Sequence, residues 1–149
     1  MSTSTMPLID PELFKIYCFW GSILALKLIV MVPLTARYRF TNMVFSSPED
    51  AAFKKGSKVV YNDPDVERVR RAHLNDLENI PLWYIITFIW LTTGPSTWLA
   101  TILIRSFVIA RIIHTVSYLA KKQPHRAIAF FVGLFATLYQ TISILLYYL

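Results

Sequence analysis

The last stretch of the chain, from Ala127 to Leu149, carries no formally charged side chain. A helix of a soluble bundle needs a polar face, and this segment has none. At 1.5 Å rise per residue it is long enough to cross roughly 30 Å of hydrocarbon. Three more apolar segments precede it. Ile16 to Leu34 is interrupted by one charge, Lys27. Ile80 to Leu91 is too short to span alone, but VERVRRAHLNDLEN leads into it without a breaker, which predicts a helix from near Asp65 with a polar first half. Trp98 to Leu119 contains Arg105, Arg111 and His114. Pro33 and Pro81 fall inside these helices, and a proline there frees a carbonyl and favours a bend. The pattern predicts an all-α integral membrane protein: a four-transmembrane-helix bundle with helices at about 12–40, 65–92, 97–120 and 126–148, a loop at about 41–64, and one domain over 1–149. The composition agrees: 55% of residues are hydrophobic and 16% charged, against about 25% charged in ordinary globular domains.

Charge placement predicts the topology. The formal net charge is +6. Arg37, Arg39, Lys54, Lys55, Lys58, Arg68, Arg70 and Arg71 cluster between the first and second helices, and KKQPHR joins the third to the fourth. The connection TTGPST has no charge, and neither the N-terminal segment nor LLYYL is basic in balance. The positive-inside rule then puts the two basic connections in the cytosol and both termini on the far side. With lipid headgroups to meet, these charges call for no nucleic acid. The polar N-terminal residues lack the basic start of a signal peptide, so the first apolar run is expected to remain as a span. Cys18 is the single cysteine, and His73, His114 and His125 show no metal-binding spacing, so no disulfide framework within the chain and no metal site are expected.

Ionisable groups inside membrane helices face a bundle interior or a polar cavity. Arg111, His114 and Tyr118 share one face of the third helix, and Arg71, Asn75 and Glu78 share one face of the second, with Glu67 upstream; Arg105 points elsewhere. One reading is a structural network in which Arg71 or Arg111 pairs with Glu78 or Glu67. A second, compatible reading is a cleft for a small anionic, peptide-like ligand, with cations for carboxylates, an amide for backbone groups and a carboxylate for an amine. Arg126 opens the fourth helix, where unpaired N–H groups already favour anions. Its permanent charge and five donors suit it either to stabilise a thiolate or oxyanion or to anchor the helix at lipid phosphate. Ser47 and Asn62 or Asp63 are candidate helix caps.

The stretches VFSSPEDAAFKKG, DPDVERVRRAHLNDLENIPL, ARIIHTVSYL and QPHRAIAFFVG resemble, in order and spacing, the family of membrane-associated proteins in eicosanoid and glutathione metabolism. The resemblance covers roughly residues 35 to 133. It implies a homotrimer of four-helix subunits, with glutathione as co-substrate bound between subunits near the cytosolic face. It implies Arg126 beside the glutathione sulfur as the catalytic residue, and Arg39, Arg71, Asn75, Glu78, Arg111, His114 and Tyr118 as the glutathione-binding set. Leu74, Ala127 and Phe130 depart from the family's prostaglandin synthases and look like its general transferases. Some mammalian members carry a reactive cysteine just after PED; this chain has Ala51.

The expected activity is therefore conjugation of glutathione to hydrophobic electrophiles, with glutathione-dependent reduction of lipid hydroperoxides. The alternatives are a prostaglandin endoperoxide isomerase and a non-catalytic lipid-binding scaffold. The resemblance implies the endoplasmic reticulum membrane with lumenal termini, or the mitochondrial outer membrane. Membrane lipid and apolar substrates complete the expected partners.

Overall fold

A computed structural model describes residues 9–149; most of the N-terminal segment used in the topology argument lies outside this range. Four long helices dominate: α1 (Pro11–Asn42), α3 (Pro64–Leu91), α4 (Thr97–Leu119) and α5 (His125–Tyr148). A short helix, α2 (Pro48–Ala52), sits in the excursion between α1 and α3, flanked by two-residue strands β1 (Val44–Phe45) and β2 (Lys58–Val59). Three helices, α1, α4 and α5, are long and apolar enough to cross a membrane. The fourth, α3, is 28 residues long, with a polar N-terminal half. Its Pro81 and the Pro33 of α1 both lie within continuous helix.

The helix starts follow local chemistry. Asp10 accepts from the amides of Glu12 and Leu13 at 2.7 and 3.4 Å, with Pro11 in the first turn. Asp63 accepts from the amides of Asp65 and Val66 at 3.2 and 3.0 Å, with Pro64 next. Ser47 caps α2 and Ser96 caps α4. Each cap satisfies amides that the first turn leaves without an intrahelical partner. α1 ends where Met43 turns left-handed at φ 57°.

In the bundle, α1 packs on α3 and α4, and α5 packs on the same two; α1 and α5 make no contact among the described residues. In the core, Trp83 of α3 stacks flat on Phe107 of α4, with ring centres 4.9 Å apart and planes 7° apart. Leu24, Ile80, Trp90, Ala100 and Ile104 belong to the same buried cluster. The close approach of α1 to α3 depends on Gly21. Tyr84 donates its hydroxyl to the Gly21 carbonyl at 2.5 Å, and a Cβ at Gly21 would lie 2.9 Å from the Tyr84 ring. Between α3 and α5, Thr87 donates to Gln140 Oε1 at 2.9 Å in a buried position.

The excursion between α1 and α3 is closed at its base. β1 and β2 pair in parallel, Val44 with Lys58 and Phe45 with Val59. Asn42 Nδ2 donates to Asp63 Oδ1 at 3.1 Å, tying the end of α1 to the cap of α3. Lys121 Nζ lies 4.0 Å from Asp65 Oδ1. The α4–α5 turn and the start of α3 therefore share one end of the bundle. Trp98, Tyr147 and Tyr148 are all exposed near the opposite end.

Candidate functional site

The buried face of α3 runs through Val69, Ala72, Asp76, Ile80, Trp83, Thr87 and Trp90. Asp76 is the one acid on it, and it is 0% exposed. Three cationic or hydroxyl groups converge on its carboxylate. Arg111 of α4 donates from Nε at 3.2 Å and from Nη2 at 2.5 Å to Oδ1. Thr115 donates to Oδ2 at 3.1 Å. Lys27 of α1 forms an ion pair with the same oxygen. Arg111, 1% exposed, also donates from Nη2 to Asn75 Oδ1 at 2.8 Å.

This cluster explains how three helices hold charge inside an apolar bundle. A buried charge is tolerated when paired and hydrogen-bonded. Asp76 supplies that pairing to Lys27 and Arg111 together. The partners differ from those expected for a structural network. The acid that meets Arg111 is Asp76, neither Glu78 nor Glu67. Glu67 pairs with Arg70, at 2.5 Å, rather than with Arg71. Among the described residues, Arg71 and Glu78 have no hydrogen-bond or ion-pair partner.

A second group lies one turn further toward the basic end. His114 is buried, with its ring centre 5.8 Å from Tyr118 and 6.3 Å from Phe130. Its Nδ1 has no hydrogen-bond partner among the described residues. The Arg126 guanidinium carbon sits 4.6 Å from the centre of the Tyr118 ring, a cation–π arrangement. Turning the Gln123 amide so that its oxygen faces Arg126 gives hydrogen bonds of 3.2 and 2.6 Å from Nε and Nη2. An arginine can only donate, so this orientation satisfies both groups. Arg126 is thereby fixed in direction at the start of α5 while remaining partly exposed. Phe130 and Ala127 beside it offer no hydroxyl.

The structure thus divides the eight expected site residues. Asn75 and Arg111 touch; His114, Tyr118 and Arg126 form a contiguous series. Arg39, Arg71 and Glu78 lie outside both groups. Arg39 donates to Ser46 Oγ at 2.5 Å and borders a shallow groove between α1 and α3 that also reaches Arg70 and His73. A neighbouring groove containing Arg71 shares those two residues. Arg39 and Arg71 therefore flank one cationic strip on the α3 surface. Glu78 is exposed further along α3. Arg105 lies apart from this set and stands over the Trp20 ring, 5.8 Å from its centre.

An apolar groove of about 400 Å³ runs along α4 from Ser106 to Ile113 and along α5 from His125 to Val132. Its floor is Ala110 and Ala129, both 4% exposed; their small side chains leave the space open. No group of three or more His, Cys, Asp or Glu side chains is placed to hold a metal among the described residues.

The sequence reading missed Asp76 and Thr115, and treated Lys27 only as an interruption. The signal was present. A lone lysine in a membrane helix requires a counter-ion, and Asp76 is the acid in phase with the apolar positions 69, 72, 80 and 83.

Comparison with known proteins gives a consistent family. Residues 17–146 match the MAPEG family. The chain is 46% identical over 134 residues to human microsomal glutathione S-transferase 1, covering 87% of this chain and 86% of the relative. The mouse protein of the same name is 46% identical over 136 residues, with 88% of each chain covered. Bovine prostaglandin E synthase is 33% identical over 131 residues, covering 87% and 86%. This protein belongs to the MAPEG family, the membrane-associated proteins in eicosanoid and glutathione metabolism.

Proposed function

We propose that this protein conjugates reduced glutathione to hydrophobic electrophiles and also uses glutathione to reduce lipid hydroperoxides. The observation that carries the reading is Arg126: a permanent cation, held over Tyr118 and oriented by Gln123, yet partly open at the first turn of α5. A free thiol such as that of glutathione ionises near pH 8.5. A fixed positive charge beside it favours the thiolate, which is the nucleophile. In conjugation, sulfur forms a bond to the electrophilic carbon while the leaving group departs or the acceptor double bond takes up the electron pair. With a hydroperoxide, the thiolate attacks the terminal oxygen, the O–O bond breaks, and the alkoxide leaves and takes a proton to become the alcohol, while the glutathione sulfur is left as a sulfenic acid. A second glutathione then yields the disulfide and water.

The other expected residues fit a tripeptide with two carboxylates and one amine. Arg39 and Arg71 offer cations, Glu78 an anion for the amine, and Asn75, His114 and Tyr118 polar contacts. Arg111 acts behind Asn75, because its guanidinium is enclosed and already engaged by Asp76. The α4–α5 groove faces outward and suits apolar substrates arriving through the bilayer. Ala127 and Phe130 lack the hydroxyls of the prostaglandin synthases, which favours the transferase over the isomerase.

The same reading holds that α3 is a fourth span, that the basic end faces the cytosol with both termini lumenal, and that the protein resides in the endoplasmic reticulum or the mitochondrial outer membrane. It also holds that three copies assemble with glutathione between them. Arg71 and Glu78, unpaired on the bare surface of α3, support an assembly, since charge facing hydrocarbon is costly. A conjugation assay in detergent with an activated aromatic halide and a lipid hydroperoxide tests the activity. Arg126→Ala should abolish thiolate formation while the protein still folds and binds glutathione. Unchanged thiolate formation and turnover would remove Arg126 from the mechanism. The absence of glutathione dependence with either substrate would favour a scaffold.

A further inference from the structure

Asn75 stands at the boundary between the closed ionic cluster and the partly open surface of α3. Its amide has two faces of opposite polarity, an oxygen that accepts and an NH2 that donates. The orientation of such an amide is set by its surroundings. Here the setting group is unambiguous: Arg111 Nη2 lies 2.8 Å from Asn75 Oδ1, and a guanidinium has no acceptor to offer. The same Nη2 and the adjacent Nε are held by Asp76, whose second oxygen is held by Lys27 and Thr115. Lys27, Asp76, Arg111 and Asn75 therefore form one chain of fixed contacts from α1 through α3 and α4. Asn75 Nδ2 has no acceptor among the described residues.

We infer that Asp76 is a positioning residue which, through Arg111, locks the Asn75 amide with its NH2 directed outward, so that Asn75 is a donor to a carbonyl or carboxylate oxygen of the bound tripeptide. This rests on the proposed use of glutathione. It assigns Asn75 a polarity and gives the enclosed Arg111 a task that needs no contact with the ligand. The half of the ligand lying on Asn75 must present an acceptor there, and an amine or N–H at that point would be rejected.

The polarity makes the test a matter of sign. Asn75→Asp keeps an oxygen toward Arg111 and replaces the NH2 with a second oxygen. Asn75→Ala removes both. Glutathione affinity is measured by titration calorimetry on the purified full chain in detergent, with thermal unfolding alongside. The expected order is unmodified chain tightest, Asn75→Ala weaker, and Asn75→Asp weakest, by about tenfold or more relative to the unmodified chain, as befits loss of a hydrogen bond to a charged group. The Asp variant should unfold no earlier than the unmodified chain, because it adds negative charge to a cluster that holds Lys27 and Arg111 against Asp76 alone. Asp76→Asn should raise the KM for glutathione several-fold and by a larger factor than it lowers kcat. If Asn75→Asp binds as well as or better than Asn75→Ala, or if Asp76→Asn leaves that KM unchanged, the assignment is wrong. An unmodified chain that does not bind glutathione refutes the proposed function, and this extension with it.

Discussion

Asp76 carries the sharpest energetic test of the fold. Replacing it by leucine keeps the volume roughly constant but strips the counter-ion from Lys27 and Arg111 together, and leaves Thr115 without its acceptor. Removing one partner of a buried ion pair costs about 3–5 kcal/mol. At about 2–4 °C per kcal/mol for a chain near this size, unfolding should come about 6–20 °C earlier. The informative comparison is the triple variant Lys27→Met, Asp76→Leu, Arg111→Met. Removing every charge of a buried cluster is often neutral or stabilising, so the triple should melt near the unmodified chain although Asp76→Leu alone does not. The difference between the triple and the sum of the singles is the coupling energy. Tryptophan fluorescence during heating in detergent reads it, since Trp83 and Trp90 are both buried in α3. Two results would refute the reasoning: an Asp76→Leu protein that melts within a few degrees of the original, or a triple as unstable as the summed singles.

Gly21→Ala should push Tyr84 off the α1 backbone and break its hydroxyl contact to the Gly21 carbonyl, costing about 1–3 kcal/mol by overpacking, read as a lower melting temperature. Asp63→Ala should destabilise by about 1–2 kcal/mol, because the cap of α3 is lost together with the Asn42 tie; protease cleavage should then concentrate in residues 43–63. Maleimide treatment should leave glutathione turnover unstimulated whether or not it reaches Cys18 in the α1 span, because Ala51 stands where some mammalian family members carry the reactive thiol. Mass spectrometry of the treated protein and a parallel rate measurement check this.

Much of the helical architecture was legible because its signals are local. A charge-free run such as residues 127–149 has few alternatives to a membrane helix, and Asp63–Pro64 and Ser47–Pro48 announce helix starts through chemistry confined to a few residues. The charge pairing was not legible in the same way. A search for polar residues at i, i+4 and i+7 found Arg71, Asn75 and Glu78, which share a surface. It passed over Asp76, one position along and about 100° round, because an acid in phase with valine, alanine and isoleucine looks like an interruption until Lys27 and Arg111 arrive from other helices. Gln123 escaped notice for a related reason: its partner Arg126 is close in sequence, but the turn geometry that joins them is not written in residue type. Arg39, Arg71 and Glu78 remain at the surface of the chain, away from the buried cluster.

The tie between Asn42 and Asp63, reinforced by the two short parallel strands, makes the excursion a loop whose neck is fastened independently of its length. Lengthening a closed loop costs little, about 0.6 kcal/mol for each doubling. The tip around Lys54–Gly56 is exposed, and Gly56 already turns at φ +90°. A peptide epitope or small reporter spliced into that tip would be carried by the neck rather than by the bundle. The same architecture would let relatives vary this segment in length and charge while leaving the register of α1 against α3 untouched.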